Sequence, residues 1–205
     1  MNSEGSLSAP NSAQAEYWNA AVGHVWAQYH DQLDRQIGSL GNAALAALAP
    51  AVGERVLDVG CGCGHTSADI AGRVGATGSV LGVDLSARIV AGAQARHPQA
   101  EFAVLDVLHS DPPRRPDFVI ASGIMAVAVA GYDEYVLGTL RRFQALAGRG
   151  FGLNFLSTAS QRPDGVSRYV EPAWLLGLFQ RHISWRCRLI HDYRPNDFTL
   201  IHLVP

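Results

Sequence analysis

The spacing of apolar residues changes along the chain, and each change predicts a different kind of element. Near the start, Ala15, Trp18, Val22, Val25 and Tyr29 recur every three or four positions, which places them on one face of a helix. A second helix is expected over residues 37–49, with Leu40, Ala44, Leu45 and Leu48 inward and Pro50 ending it. From residue 55 the pattern alternates between short apolar runs and helical stretches. Strands are expected at residues 55–59, 79–83, 101–105, 117–121 and 151–156. Helices fall between them: at 65–74, from a cap at Ser86 to Pro98, at 133–147 with Val136, Leu140 and Phe143 on one side, and after Pro172 with Trp174, Leu175, Leu178 and Phe179 buried. The third and fourth strands are joined by a short stretch holding Pro112 and Pro113, too short for a full helix.

The end of the chain follows another rule. Residues 185–191 and 198–204 read as strands around the turn Arg194-Pro195-Asn196-Asp197. So short a link requires antiparallel neighbours, because a parallel return needs a crossover of about a dozen residues or more. The expected fold is therefore α/β: a Rossmann-like, doubly wound, mostly parallel sheet of seven strands, closed by a C-terminal antiparallel hairpin.

Composition narrows the partners. The chain has 205 residues, 48% apolar and 17% charged, which suits one domain over residues 11–205 after a flexible tail at 1–10. The formal net charge of -2 argues against a nucleic-acid backbone as partner, and the pairs Arg114-Arg115 and Arg141-Arg142 read as solvated surface. The longest apolar run, residues 124–130, is far short of the roughly 20 residues that span a bilayer. The N-terminus lacks the basic start and apolar segment of a targeting peptide. Three cysteines make no disulfide framework, so a reducing cytoplasm is expected.

The chemistry concentrates in Val56-Leu57-Asp58-Val59-Gly60-Cys61-Gly62-Cys63-Gly64-His65-Thr66. A strand runs into three alternating glycines and then into a helix. Glycine allows a sharp turn and a close approach of backbone to ligand, and the ligand then lies beyond the strand's carboxyl end, beside a helix N-terminus. Asp58 suits a cationic part of that ligand and would repel a pyrophosphate. Asp84, ending the second strand, can accept from both hydroxyls of a ribose. Asp106, just after the third, can accept from an adenine amine. Three acids in succession imply a nucleoside with a cationic tail.

Rival readings are weaker on spacing. A dinucleotide turn of the form Gly-x-Gly-x-x-Gly would need glycine where His65 stands. Cys61, Cys63 and His65 alternate as metal ligands can, but no second cluster accompanies them, so no metal is expected. The turn could also serve only as a tight strand-to-helix connection.

The order Asp58-x-Gly60-x-Gly62-x-Gly64, Asp84, Asp106 resembles the class I S-adenosylmethionine-dependent methyltransferases. The stretch from Tyr17-Trp18-Asn19 to Asp58 is similar to the ubiquinone/menaquinone-type branch, and the tail from Asp192-Tyr193-Arg194 to Asp197-Phe198-Thr199 is similar to small bacterial methyltransferases. The resemblance implies the strand order 3-2-1-4-5-7-6 and S-adenosyl-L-methionine as cofactor. It implies that Asp58 and Gly60, Cys61, Gly62 and Gly64 line the methionine portion, that Asp84 holds the ribose with Leu85 against the adenine, and that Asp106 and Val107 meet the adenine edge. Ser122, with Gly123, would face the sulfonium and a small-molecule substrate. Cys63 departs from the commoner Thr or Ser. Tyr17, Trp18 and Trp26, within N-terminal helices at 11–49, would form a lid over the cofactor or pack as core. No residue declares itself as a general base; His24, His65 and Tyr193 are candidates without a role. The alternative is a non-catalytic, cofactor-binding regulatory or partner subunit.

Overall fold

The computed structural model describes residues 10–20, 28, 29, 32 and 40–204. Val22, His24, Val25, Trp26, Ile37 and the tail at 1–9 lie outside the described residues. Helix α1 spans Pro10–Asn19 and α2 spans Asn42–Leu48. Strand β1 (Arg55–Val59), helix α3 (His65–Val74), strand β2 (Ser79–Asp84), helix α4 (Ala87–Arg96) and strand β3 (Glu101–Val104) follow. After β4 (Phe118–Ala121) and a single 3-10 turn at Ile124–Ala126 come α5 (Tyr132–Leu146) and β5 (Gly150–Ser157). The chain ends with β6 (Tyr169–Val170), α6 (Pro172–His182), β7 (Arg188–Arg194) and β8 (Asp197–Leu203).

The sheet order is β3-β2-β1-β4-β5-β8-β7, with β6 paired to the end of β5. Pairs from β3 to β5 are parallel, and β8 is antiparallel to both β5 and β7. With the two-residue β6 set aside, this is the expected 3-2-1-4-5-7-6 order. β6 was not foreseen: two residues leave no periodic signal, and its pairing with Leu156 and Ser157 is set by tertiary contact.

Strand alternation assigns the helices to faces. Val56, Val80, Phe118 and Ile120 pack with Ala44, Leu45 and Leu48 of α2 and with Ile70 and Val74 of α3. Leu57, Val83 and Val119 point the other way, onto Val136, Leu140 and Phe143 of α5 and Leu175 and Phe179 of α6. The predicted starts of α4 and α6 hold, while α2 begins at Asn42, later than the start expected near residue 37. Ser86 Oγ accepts from Ile89 N, and Pro172 opens α6 while the Glu171 carboxylate accepts from Trp174 N. Two further expectations shift. Tyr29 is 46% exposed, so the N-terminal apolar stripe does not bury it. The hairpin's first strand lies three residues later than expected, because the tight Pro195-Asn196 turn lets Arg194 pair directly with Asp197, and Trp185 stays 74% exposed outside it.

Candidate active site

The carboxyl ends of the parallel strands meet where the glycine turn leaves β1. The amides of Gly60 and Cys61 both donate to the carbonyl of Val83, at 2.8 and 3.0 Å, tying the turn to the tip of β2. Gly60 has φ +70°, and a Cβ there would run into Cγ2 of Ile124. Gly64, at φ +93°, caps α3, and a Cβ there would lie 2.8 Å from His97 and 2.9 Å from Phe102. Both positions are closed to larger residues by backbone conformation and by neighbours.

The three acids do not all face the same space. Asp84 lines the cleft beyond the turn; its carboxylate accepts from Gly62 N at 3.3 Å and Ser86 N at 3.0 Å. Burial raises its pKa against the pull of those amides. Asp106 lines the same cleft and is oriented by Leu108 N at 3.0 Å and by the His109 ring at 2.7 Å. Each carboxylate oxygen retains lone pairs for further donors. Asp58 instead stands behind the turn. It is 1% exposed and accepts from Ser67 Oγ of α3 at 2.6 Å. Burial pushes its pKa up to about 6, with the Ser67 hydroxyl opposing and the charge of Asp84 adding to the rise. Cys61 and Gly64 also lie behind the lining. Burial raises the Cys61 thiol pKa, which keeps that sulfur protonated and inert.

The cleft measures about 850 Å³ with its open mouth included. Gly60, Gly62, Asp84, Leu85, Asp106, Val107 and Ser122 of the predicted set line it. Sequence reasoning missed Gln14 and the stripe Tyr135, Thr139 and Phe143 on α5, whose four-residue spacing reads as core. Among the described residues the lining contains no Lys, Arg or His and has two carboxylates. An apolar slot with acids at its edge fits a nucleoside bearing positive charge; a polyphosphate would find no partner. Among the described residues, no three His, Cys, Asp or Glu side chains group as metal ligands would.

A second, larger cleft adjoins the first. The two share Gln14, Trp18, Ser122 and Gly123 as a common wall. Its polar floor is a chain of hydrogen bonds across three strands. Gly123 N donates to Asn154 Oδ1 at 2.8 Å, and Asn154 Nδ2 donates to both oxygens of Asp197 at 3.2 and 3.0 Å. The Tyr193 hydroxyl donates to Asp197 and meets Thr199 Oγ1 at 2.7 Å. Burial raises Asp197 to about 6, against the Tyr193 and Asn154 hydrogen bonds and the charge of Arg194. Of this floor, Gly123 and Tyr193 were named beforehand as candidates and Asp197 and Thr199 only as part of the tail motif; Asn154 was not singled out.

A mostly parallel sheet in this order, a glycine turn and strand-tip acids around an acid-edged slot define a Rossmann-like, nucleoside-binding class of protein. Comparison with known proteins makes the family definite. Residues 56–143 match the model of a methyltransferase domain. Rv1506c of Mycobacterium tuberculosis, itself a methyltransferase by assignment, is 30% identical over 154 residues, covering 70% of this chain and 89% of that one. Trans-aconitate 2-methyltransferase of Methylobacterium radiotolerans is 32% identical over 109 residues, 53% of this chain but only 38% of that protein. In fold, the chain is similar to magnesium protoporphyrin IX methyltransferase from Synechocystis PCC 6803, solved with S-adenosylhomocysteine. That match has a TM-score of 0.70 at 18% identity and covers 95% of this chain and 100% of that one. The chain belongs to the S-adenosylmethionine-dependent methyltransferases. No described helix is long and apolar enough to cross a membrane.

Proposed function

We propose that this methyltransferase acts on a small-molecule acceptor, by in-line transfer from S-adenosylmethionine. One observation carries the reading: an acid-edged slot, with no basic side chain among its described lining residues, shares a wall with a second cleft. Within the slot, Asp84 takes the ribose hydroxyls, Leu85 and Val107 flank the adenine, and Asp106 accepts from its amine. Gly60 and Gly62 let the backbone approach the methionine portion, with Gly64 and Cys61 shaping the turn from behind. Asp58 acts from behind the turn, as a negative charge held by Ser67, and Ser122 faces the boundary between donor and acceptor. When bound, the cofactor supplies a methyl group on a positively charged sulfur, which an aligned nucleophile displaces. The chain's own contribution is to orient the acceptor and exclude water.

The N-terminal segment serves as a lid in this reading. Gln14 and Trp18 reach the slot, and Asn19 Nδ2 donates to the Leu85 carbonyl at 3.0 Å, anchoring α1 over the tip of β2. The finer resemblance to the ubiquinone/menaquinone-type branch and to small bacterial enzymes belongs to this proposal, as does a reducing, cytoplasmic setting for Cys61, Cys63 and Cys187, none of which is in a disulfide among the described residues. The name of the Methylobacterium relative, with its small acid substrate, agrees with acceptors of modest size. Calorimetric titration with S-adenosylhomocysteine tests the reading. Saturable binding in the micromolar range is expected, and none at millimolar ligand would refute it.

A further inference from the structure

The wall between the two clefts contains a polar group that the protein does not fully satisfy. Gln14 is 6% exposed, and its amide nitrogen makes no well-formed hydrogen bond among the described residues; the neighbouring Tyr135 hydroxyl can engage only one of its two hydrogens. The amide lines both clefts. A buried donor without an acceptor costs on the order of 1–3 kcal/mol. Such a group, placed at the junction of two clefts, is met most simply by a ligand atom with a lone pair.

The second cleft's other surfaces indicate what carries that atom. One wall is the run Ala126, Val127, Ala128, Val129 and Ala130, and Phe155 and Leu156 lie at the end of β5. The charges offset one another. Arg162 and Arg194 line the cleft, and so do Asp164 and Asp197. Asp164 is turned into its own loop, accepting from Val166 N at 3.0 Å and Ser167 N at 2.7 Å. Asp197 is held by Asn154 and Tyr193, within electrostatic reach of Arg194. Among the described residues, two cations against two anions give no net formal charge with which to select a charged ligand. Apolar area and the Gln14 donor are what discriminate.

We infer that the second cleft is the acceptor site and that Gln14 is its specificity contact. The acceptor is an uncharged, largely apolar small molecule whose hydroxyl or carbonyl oxygen accepts from the Gln14 amide beside the methyl donor. Gln14 and Trp18, one helical turn apart on α1, present one face to both clefts. Asn154 and Asp197 position the opposite side of the wall by fixing the Gly123 amide. This inference rests on the methyltransferase reading above, which places the donor in the first cleft.

The test uses matched probes on the full chain: p-cresol and 4-methylacetophenone, which carry oxygen, and p-xylene, which does not. Binding is followed by NMR of alanine methyl groups, with and without saturating S-adenosylhomocysteine. The expected result is that both oxygenated probes perturb the Ala126, Ala128 and Ala130 signals and bind at least fivefold tighter than p-xylene. Gln14→Leu, close in volume and without a donor, should reduce that preference to less than twofold. Ala128→Trp should exclude all three probes and leave S-adenosylhomocysteine binding in place. If Gln14→Leu does not fold, Gln14→Met serves instead, since a thioether of similar length offers no donor and should also abolish the preference. Equal binding of p-xylene and the oxygenated probes, a preference that survives loss of the amide, or perturbation confined to other methyl groups would overturn the inference. Failure of S-adenosylhomocysteine to bind is a separate outcome, which strikes the methyltransferase reading itself.

Discussion

The two clefts share a wall but are built in different ways. The first is built on consecutive elements: β1 with its glycine turn, the tip of β2 and the end of β3 supply its decisive groups, and backbone amides orient its acids. The second is assembled from α1, the turn after β4, the end of β5, the segment before α6 and the β7–β8 hairpin, and side chains orient its buried acid. The first construction suits a ligand common to many enzymes. The second is freer to vary, since α1, the turn after β4 and the loop at residues 162–167 lie outside the sheet. Changes in the first cleft should therefore damage donor binding severely, and changes in the second should leave it largely alone.

The largest effect is expected at Gly60. Gly60→Ala adds left-handed backbone strain of about 1 kcal/mol and overpacking against Ile124 of roughly 1–3 kcal/mol. Saturable binding of S-adenosylhomocysteine should disappear. Adding Ile124→Ala relieves the overpacking but not the strain, so calorimetry should recover only part of the affinity. Wild-type affinity in Gly60→Ala alone would show that the turn is not a close-approach site.

Asp84→Asn comes next. The substitution keeps the volume but gives one of the Gly62 and Ser86 amides a donor to face in place of an acceptor. S-adenosylhomocysteine should bind about 30- to 100-fold more weakly, the loss expected for charge-assisted hydrogen bonds of roughly 2–3 kcal/mol. Asn154→Ala is the counterpart from the second cleft. It frees the Gly123 amide and strands Asp197, yet donor affinity should fall less than about threefold, because no ligand contact of the first cleft is lost. Equal losses in the two variants would erase the division of labour.

The same contrast explains what could be read before the structure was known. The glycine turn was legible because strand, turn and helix are contiguous, and each glycine answers a local demand. Asp84 and Asp106 were legible because a strand end announces itself in the apolar pattern. Asp58 was legible as an acid, but its direction was not: whether it faces the ligand or Ser67 depends on how α3 docks. Gln14 was invisible, since a glutamine on a surface-like helix gains meaning only when α1 folds over β2. The Asn154–Asp197–Tyr193 chain was equally hidden. Its members are 43 residues or fewer apart and are brought together by an antiparallel pairing that places Thr199 opposite Asn154. The fold carried over almost whole because periodicity reports burial. The acceptor site did not, because its contacts join elements whose order no period encodes.

A further expected effect concerns two buried acids, one behind each cleft. Asp58 and Asp197 are both raised from an ordinary value of 3.8 to about 6. Between those values the folded chain holds protons that the unfolded chain has released. Stability must therefore fall as pH rises through that window and level off above it. Asp117 and Asp164 are shifted the other way, below 3.8, so their contributions change only at more acidic pH. Each raised acid should account for about 2 kcal/mol between pH 4.5 and 6.5, or roughly 5 °C in Tm for a chain of this size. Asp197→Asn removes one share of the slope and Asp58→Asn the other, while groups common to all three proteins cancel in the comparison. Differential scanning fluorimetry across the window reads this directly. The two variants should flatten the profile alike, yet only Asp58→Asn should also weaken S-adenosylhomocysteine, because only that charge stands behind the glycine turn. A wild-type profile that rises with pH through the window would mean that Ser67, Asn154 and Tyr193 stabilise the ionised carboxylates more than burial penalises them, and the buried floor of the second cleft would then be an anion held for the acceptor to meet.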